Sequence, residues 1–298
     1  MRVFVTGATG YIGSAVVREL IDAGHAVLGL ARSSQAATAL KTAGADVHYG
    51  SLDDIESLRR GAVAADGVIH LAFIHDFSDY DGAGAVDLRA VEAIGAALEG
   101  SNKPFVVTSG TLGLKLGVIG TEEDVGDLYS PAAPRVVSEN AAIALADRGV
   151  RSAVVRLAPC VHDINRHGFA SVLLDIARDK GVSAFVGEGL NRWPAVNRLD
   201  AARLFRMAVE AAPAGSRLHG VGEEGVLFRD IAEAIGRRLN IPVVSISGEE
   251  AAAHFGWFSG AVLADNPTSN KLTQQIMGWQ PRYFDLIVNI EKSHYLND

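Results

Sequence analysis

The chain has one cysteine, Cys160, in 298 residues. No intrachain disulfide can form, which excludes the small cross-linked secreted scaffolds and fits a reducing compartment. A lone cysteine here reads as a small buried hydrophobe rather than a nucleophile. There is no lysine- or arginine-rich run, and 27 Lys+Arg against 35 Asp+Glu give a formal net charge of −8. A nucleic-acid partner is therefore not expected. No uncharged apolar stretch approaches the length of a bilayer span, so no membrane partner is expected. No basic leader with a cleavage site precedes the first apolar run, and the expected location is cytoplasmic. His162 and His167 match no metal-ligand spacing, and no metal is expected. Internal repeats, low-complexity tracts and long Gly/Ser linkers are absent.

What is present starts at residue 2. Arg2-Val3-Phe4-Val5 is a short apolar run with β-branched and aromatic members, and Ala15-Val16-Val17-Arg18-Glu19-Leu20-Ile21 has helical periodicity. Between them lies Thr6-Gly7-Ala8-Thr9-Gly10-Tyr11-Ile12-Gly13. A strand that ends in a glycine-rich turn and opens into a helix is a phosphate cradle. Gly7 allows the tight turn, Gly10 lets backbone N–H groups approach a diphosphate, and Gly13 lets helix and strand pack closely. Gly7, Thr9, Gly10, Tyr11, Ile12 and Gly13 are thus expected to contact a dinucleotide. The chain has 32 glycines, so the pattern alone is weak. Its place between strand and helix makes it specific.

Candidate strands at 2–6, 26–30, 45–49, 67–71, 103–108 and 151–156 alternate with candidate helices at 11–23, 34–43, 53–61, 84–99 and 134–148. Strands that are apolar on both faces, separated by helices, predict an α/β fold with a doubly wound parallel sheet of Rossmann type. Ligand is then expected at the carboxyl ends of the strands, near the switch point between the first and fourth. The expected division is a dinucleotide-binding domain over 1–160 and a smaller C-terminal α+β substrate lobe over 161–298, with the chain returning to the first domain near 195–212. In that second part, helices are expected at 168–180, 200–211, 228–239, 268–277 and 284–294, and strands at 183–186, 217–221 and 242–246. Residues 110–133 lack clear periodicity and read as a loop beside the site, with the acidic cluster Glu122, Glu123, Asp124 and Asp127 mostly solvated.

The second strand ends Gly29-Leu30-Ala31-Arg32-Ser33-Ser34. The acidic residue that would bind a ribose 2′-hydroxyl is missing, and an arginine suited to a 2′-phosphate is present. Arg32 and Ser33 therefore point to NADP(H) in preference to NAD(H); the alternative is a surface arginine. Ser51 and Leu52, after the third strand, are expected beside the adenine, with Asp53 a candidate helix cap. Leu71, Ala72 and Phe73 end the fourth strand, where small Ala72 permits close approach to the cofactor. Pro159 and Val161, after the sixth, are expected near the carboxamide. Ser109 and Thr111, after the fifth, are the hydroxyls placed to meet a substrate. His75 lies with Asp76 at the same edge. Arg192, Trp193 and Asn197 are candidate substrate contacts, Trp193 reading equally as a core anchor. Asp200 is the expected cap of the following helix.

Together these residues resemble the short-chain dehydrogenase/reductase superfamily, in its extended branch of epimerase/dehydratase-like proteins. The resemblance rests on Thr6 to Gly13, His70-Leu71-Ala72, Phe105-Val106-Val107-Thr108-Ser109, Arg156-Leu157-Ala158-Pro159 and Met277-Gly278-Trp279-Gln280-Pro281. It places Thr108 at the cofactor and implies a homodimer through helices 84–99 and 134–148. It also implies a catalytic Tyr-x-x-x-Lys pair on one helix. That pair is missing: Tyr11, Tyr49, Tyr80, Tyr129 and Tyr283 are followed four residues later by Ala15, Asp53, Gly84, Ala133 and Ile287, and Tyr295 by no fourth residue. In the matching segment, Arg135 stands in the tyrosine place and Glu139 in the lysine place, as in the atypical subgroup. Arg135 is suited to polarising a carbonyl, and Glu139 to a cofactor ribose; the alternative is an i,i+4 ion pair between them. Two functions follow from the resemblance. One is an NADP(H)-dependent oxidoreductase or epimerase-like enzyme for a small carbonyl or alcohol, with Ser109, Thr111 and Arg135 at a non-standard site. The other is a non-catalytic NADP(H)-binding redox sensor or regulatory protein.

Overall fold

Alternation along the first strand sets the layers of the molecule. In β1 (Arg2–Thr6), Val3 and Val5 enter one apolar core and Phe4 another, the period-two geometry of a strand buried on both faces. The computed structural model describes residues 1–292 apart from 77, 131, 166, 167 and 284. After β1 come α1 (Tyr11–Asp22), β2 (Ala26–Ala31), α2 (Ser34–Thr42), β3 (Asp46–Tyr49), α3 (Ile55–Val63), β4 (Gly67–His70), α4 (Tyr80–Leu98), β5 (Pro104–Gly110), α5 (Ala133–Ala144) and β6 (Arg151–Leu157). Two helix starts differ from expectation because the caps differ. Asp54, not Asp53, accepts from Ser57 N and starts α3, and Asp79 accepts from Gly82 N and starts α4 four residues early.

The second half contributes β7 (Cys160–His162), α6 (Gly168–Lys180), β8 (Ser183–Val186), β9 (Arg192–Asn197), α7 (Arg198–Ala211), β10 (Ser216–Gly220), β11 (Glu223–Leu227), α8 (Phe228–Leu239), β12 (Val243–Ile246), α9 (Ala251–Phe255), α10 (Ser259–Leu263), α11 (Lys271–Met277) and α12 (Leu286–Lys292). The main sheet has seven strands in the order β10-β6-β5-β4-β1-β2-β3, all parallel. The order reverses between β1 and β4, which is the ligand-binding crevice of a doubly wound sheet. One face carries α1, α2 and α7; the other carries α3, α4 and α5.

The chain returns to this sheet over more than 195–212. β10 pairs with β6, and Trp279 is fully buried in the same core as α1 and α7, donating to the Asp200 carbonyl at 3.0 Å. A separate apolar core around Trp193, Phe228, Phe255 and Phe258 holds the smaller lobe. Its sheet, β11-β9-β7, consists of three strands that the sequence pattern hid. β9 carries Pro194, which argues against a central strand, but the ladder is already interrupted opposite it by a register shift between Glu223 and Val226.

Residues 110–133 are not a free loop. Gly120 bridges to Thr268, Gly117 N donates to Asp265 O, and Glu122 is buried, accepting from both Thr273 N and Thr273 Oγ1 at 2.7 Å. The expected solvation of the acidic cluster therefore fails at Glu122. The segment 265–273 offers donors there that a charge count along the loop does not reveal.

Candidate functional site

The glycine turn has the geometry of a cradle. Gly7 has φ +66°, and a Cβ there would lie 2.7 Å from Ala72 N, so the end of β4 presses directly on the turn. A Cβ on Gly13 would lie 2.0 Å from the Gly7 carbonyl oxygen, which is why helix and strand approach so closely. Gly10 is the N-cap of α1 and supplies no side-chain cap. Thr9 and Gly10 are exposed; Tyr11 and Ile12 are half-buried. The start of α1, without a side-chain cap, stands at the positive end of the helix dipole, the arrangement that receives a diphosphate.

Beneath the turn runs a buried polar chain. Thr6 Oγ1 accepts from the amides of Leu71 and Ala72, both at 3.2 Å, and lies 2.8 Å from His70 Nδ1. With two amides already donating to it, the hydroxyl donates to Nδ1, and His70 Nε2 carries the proton directed at Asp87 Oδ1, 3.1 Å away.

At the end of β2, Arg32 is exposed and has no ion pair or hydrogen bond among the described residues. Ser33 caps α2 by accepting from Ala36 N. No carboxylate stands between Ala31 and Ser34. After β3, Ser51 and Leu52 are half-buried, and Leu52 packs on the core behind them. Pro159 is half-buried beyond β6, and Val161 pairs with Val196 in the ladder of β7 and β9.

The Arg135–Glu139 ion pair does not form. Arg135 Nη1 lies 3.2 Å from Asp87 Oδ1, Nη2 donates to the Thr108 carbonyl at 2.6 Å, and the guanidinium sits 4.3 Å from the centre of the Phe73 ring. Glu139 faces the interior, where it takes Arg156 Nη2 at 2.5 Å and Arg217 Nε at 3.1 Å. An inward carboxylate held this way is not available to a ribose hydroxyl, which corrects that expectation. Burial alone would push both acids up. Arg135 and His70 outweigh it at Asp87, and Arg156 and Arg217 outweigh it at Glu139, so both carboxyls lie below their ordinary range. Thr108 Oγ1 donates to the His70 carbonyl. Thr111 is fully buried, donating to Asn266 Oδ1 at 2.7 Å, while Asn266 Nδ2 returns a bond to the Thr111 carbonyl. Ser109 and Thr111 are therefore interior residues, not open hydroxyls.

The candidate substrate residues of the second half disperse. Trp193 is a core anchor, 1% exposed, with Nε1 donating to the Ala261 carbonyl. Asn197 caps α7 by accepting from Leu199 N, the role expected of Asp200. Asp200 instead receives the amides of Arg282 and Tyr283. Arg192 pairs with Asp265 at 2.8 Å. His75 is exposed and stands edge-on to Phe73, 5.4 Å between ring centres, while Asp76 turns to Ser78. His167 lies outside the described residues. Cys160 is buried, and burial pushes its thiol up to about 12, which removes it as a nucleophile.

The site therefore gathers the turn 7–13, Arg32, the end of β4 and Arg135 on the carboxyl edge of the sheet. Sequence reasoning passed over Asp87. A signal was present: Asp87 is the one charged residue on the buried face Ala83, Gly84, Asp87, Ala90, Val91 and Ile94 of α4.

The profile of the NAD dependent epimerase/dehydratase family matches residues 3–99. Over 296 residues, the chain is 47% identical to the uncharacterized protein C2A9.02 of Schizosaccharomyces pombe, covering 99% of this chain and 100% of that one. Over 299 residues, it is 44% identical to the uncharacterized protein YLL056C of Saccharomyces cerevisiae, covering 100% of both. The chain belongs to the NAD dependent epimerase/dehydratase family. Solved structures agree on the fold. A dTDP-glucose 4,6-dehydratase from Streptomyces venezuelae, determined with NAD bound, superposes with a TM-score of 0.79 at 18% identity, over 100% of this chain and 97% of that one. UDP-glucose 4-epimerase from Thermotoga maritima gives 0.77 at 18% identity, over 100% and 99%. The profile match spans the glycine turn 7–13 and α4, with Asp87. Among the described residues, no helix is long and apolar enough to cross a membrane, and no three His, Cys, Asp or Glu side chains group as metal ligands.

Proposed function

We propose that the chain is an NADP(H)-dependent oxidoreductase or epimerase-like enzyme for a small carbonyl or alcohol substrate, working through a charged site in place of the tyrosine–lysine pair. The observation that carries the nucleotide part is the uncapped start of α1, framed by Gly7 and Gly13, which have no room for a side chain. Those residues fit a dinucleotide: the amides of the first turn would hold the diphosphate. Arg32, exposed and without a carboxylate neighbour, would hold the 2′-phosphate. When bound, the nicotinamide supplies or accepts hydride. A guanidinium is not a proton donor in such chemistry, so Arg135 moves no proton. Fixed by Asp87, Thr108 and Phe73, it is suited to polarising a substrate oxygen at this edge. His75, at the surface of the same rim, is held below its ordinary pKa by partial desolvation among its neighbours and by Arg135, and so is a neutral base at pH 7.

One observation favours the second reading, a non-catalytic NADP(H)-binding sensor: Thr111 and Glu139 use their polar groups inside the protein. Absorbance of reduced nicotinamide over a panel of ketones, aldehydes and enones separates the two. Turnover that survives dialysis and falls in Arg135→Ala supports the enzyme. Tight NADPH binding with no turnover across the panel supports the sensor. Arg32→Ala tests the cofactor: its NADPH/NADH affinity ratio is expected to fall about tenfold or more, the scale of one lost charge-assisted contact. An unchanged ratio overturns the 2′-phosphate assignment.

A further inference from the structure

Arg198 joins three segments that are distant in sequence. It is the first residue of α7. Its Nη1 donates to the Tyr11 carbonyl at 3.2 Å, its guanidinium carbon sits 4.7 Å from the centre of the Tyr11 ring, and its Nε lies 2.9 Å from Asp163 Oδ2. Asp163 directly follows β7, so both charged partners come from the second half of the chain while the group they grip is in the cradle. The Arg198 and Asp163 side chains are 22% and 11% exposed.

Two physical points give this contact a consequence. The Tyr11 carbonyl and the Ile12 N–H belong to one rigid trans peptide and point in opposite directions. A guanidinium holding the oxygen therefore aims the N–H, and polarises it, on the opposite side. In addition, a cation in the first turn of α7 and against the first turn of α1 stands near the positive ends of two helices, which is unfavourable for either alone. Asp163 offsets that repulsion, and an anion in the cradle would offset it further.

We infer that Arg198 is a positioning residue for the nucleotide diphosphate: it orients the Tyr11–Ile12 peptide and adds positive potential at the cradle, and Asp163 sets how much of that charge a bound diphosphate feels. This inference rests on the nucleotide reading of the cradle given above. It makes cofactor affinity depend on a residue of the second half that no glycine motif contains.

The test is NADPH affinity by calorimetry, on the full chain, for wild type, Arg198→Ala, Arg198→Lys and Asp163→Asn. Hydrogen exchange at the amides of residues 11–14 in nucleotide-free protein is measured alongside. Arg198→Ala is expected to weaken binding about tenfold or more and to speed exchange at those amides. Arg198→Lys keeps the charge and loses less. Asp163→Asn unmasks the charge and tightens binding. Weakened binding in Asp163→Asn, as a plain structural latch requires, overturns the inference, and so does unchanged affinity in Arg198→Ala. If Arg198→Ala fails to fold, the opposite signs expected for Arg198→Lys and Asp163→Asn still decide. Failure of wild type to bind NADPH or NADH is a separate result, visible before any variant is made. It removes the nucleotide reading and this inference with it.

Discussion

Glu139 receives both Nε and Nη2 of Arg156, and each side chain is only 1% exposed. One turn earlier on α5, Arg135 pairs instead with Asp87 on α4. Arg135 and Glu139, where the resemblance leads one to expect a catalytic pair, are the ends of two separate charge systems. One lies at the carboxyl edge of the sheet and the other lies between β6, β10 and the loop after β5, where Arg156 also donates to the Asp124 carbonyl.

Restoring the family pair by substitution should therefore fail structurally. A lysine at 139 would meet Arg156 and Arg217 in the interior with no carboxylate between them. Breaking such a pair costs about 3–5 kcal/mol, and reversing the charge adds repulsion to that loss. Glu139→Lys is expected to give insoluble or non-cooperatively unfolding protein, alone or with Arg135→Tyr. A soluble double variant with a wild-type urea midpoint would show that the buried pair contributes nothing.

The Asp87–Arg135 pair should couple energetically across α4 and α5. Asp87→Asn leaves Arg135 uncompensated and weakens the acceptor of His70. It is expected to cost about 2–4 kcal/mol by urea unfolding. In a double-mutant cycle with Arg135→Met, a coupling of about 1 kcal/mol or more is expected. Additive losses within error would mean that the 3.2 Å contact carries no energy of its own.

The order of strand and helix through β6 was legible because burial on both faces leaves uninterrupted apolar runs, and the glycine turn was legible because only glycine fits where backbones touch. Helix starts were off by two to four residues where either of two neighbouring acids could cap, as at Asp53 and Asp54. The charge systems were not legible. An i,i+4 spacing places Arg135 and Glu139 near each other on a helix, but Asp87 and Arg156 offered better geometry from other elements, and nothing local in the sequence announces those partners. Trp193 illustrates the same limit. Beside Arg192 and Asn197 it resembled a mixed polar rim, but the strand is buried from Trp193 onward and Trp193 enters the core of the smaller lobe with Ala195.

The glycines of the turn should not be equivalent. Gly13→Ala would set a Cβ 2.0 Å from the Gly7 carbonyl, so backbone must move, at a cost of about 1–3 kcal/mol. A Cβ on Gly10 would meet that oxygen at 3.2 Å, and Gly10 has φ −73°, which any residue adopts. Gly10→Ala is expected to keep wild-type stability and to lose nucleotide affinity because its methyl group stands at the mouth of the cradle. Gly13→Ala is expected to lose both. Equal melting temperatures for the two variants, measured without nucleotide, would contradict this reading.

Acid should destabilise the fold well before its carboxylates titrate. Burial pushes His162 and His219 down to about 4 from an ordinary 6.5. His219 is held neutral in the interior, its Nδ1 directed at the Ser269 carbonyl and its Nε2 at Arg156. Between pH 6.5 and about 4, the unfolded chain binds protons at these two positions and the folded chain does not. Stability is thus fully present above 6.5 and falls as pH drops through that window, by about 1.4 kcal/mol per pH unit for each histidine at mid-window. Asp87 and Glu139, with lowered values, add their losses only below the usual carboxylate range. His162→Gln keeps an acceptor for Asn289 Nδ2 and removes one titrating group. Its unfolding free energy, followed by urea titration across the window, is expected to show a shallower slope than wild type. A slope as steep as wild type would mean that His162 charges in the folded protein, and that the buried contact with Asn289 does not hold it neutral.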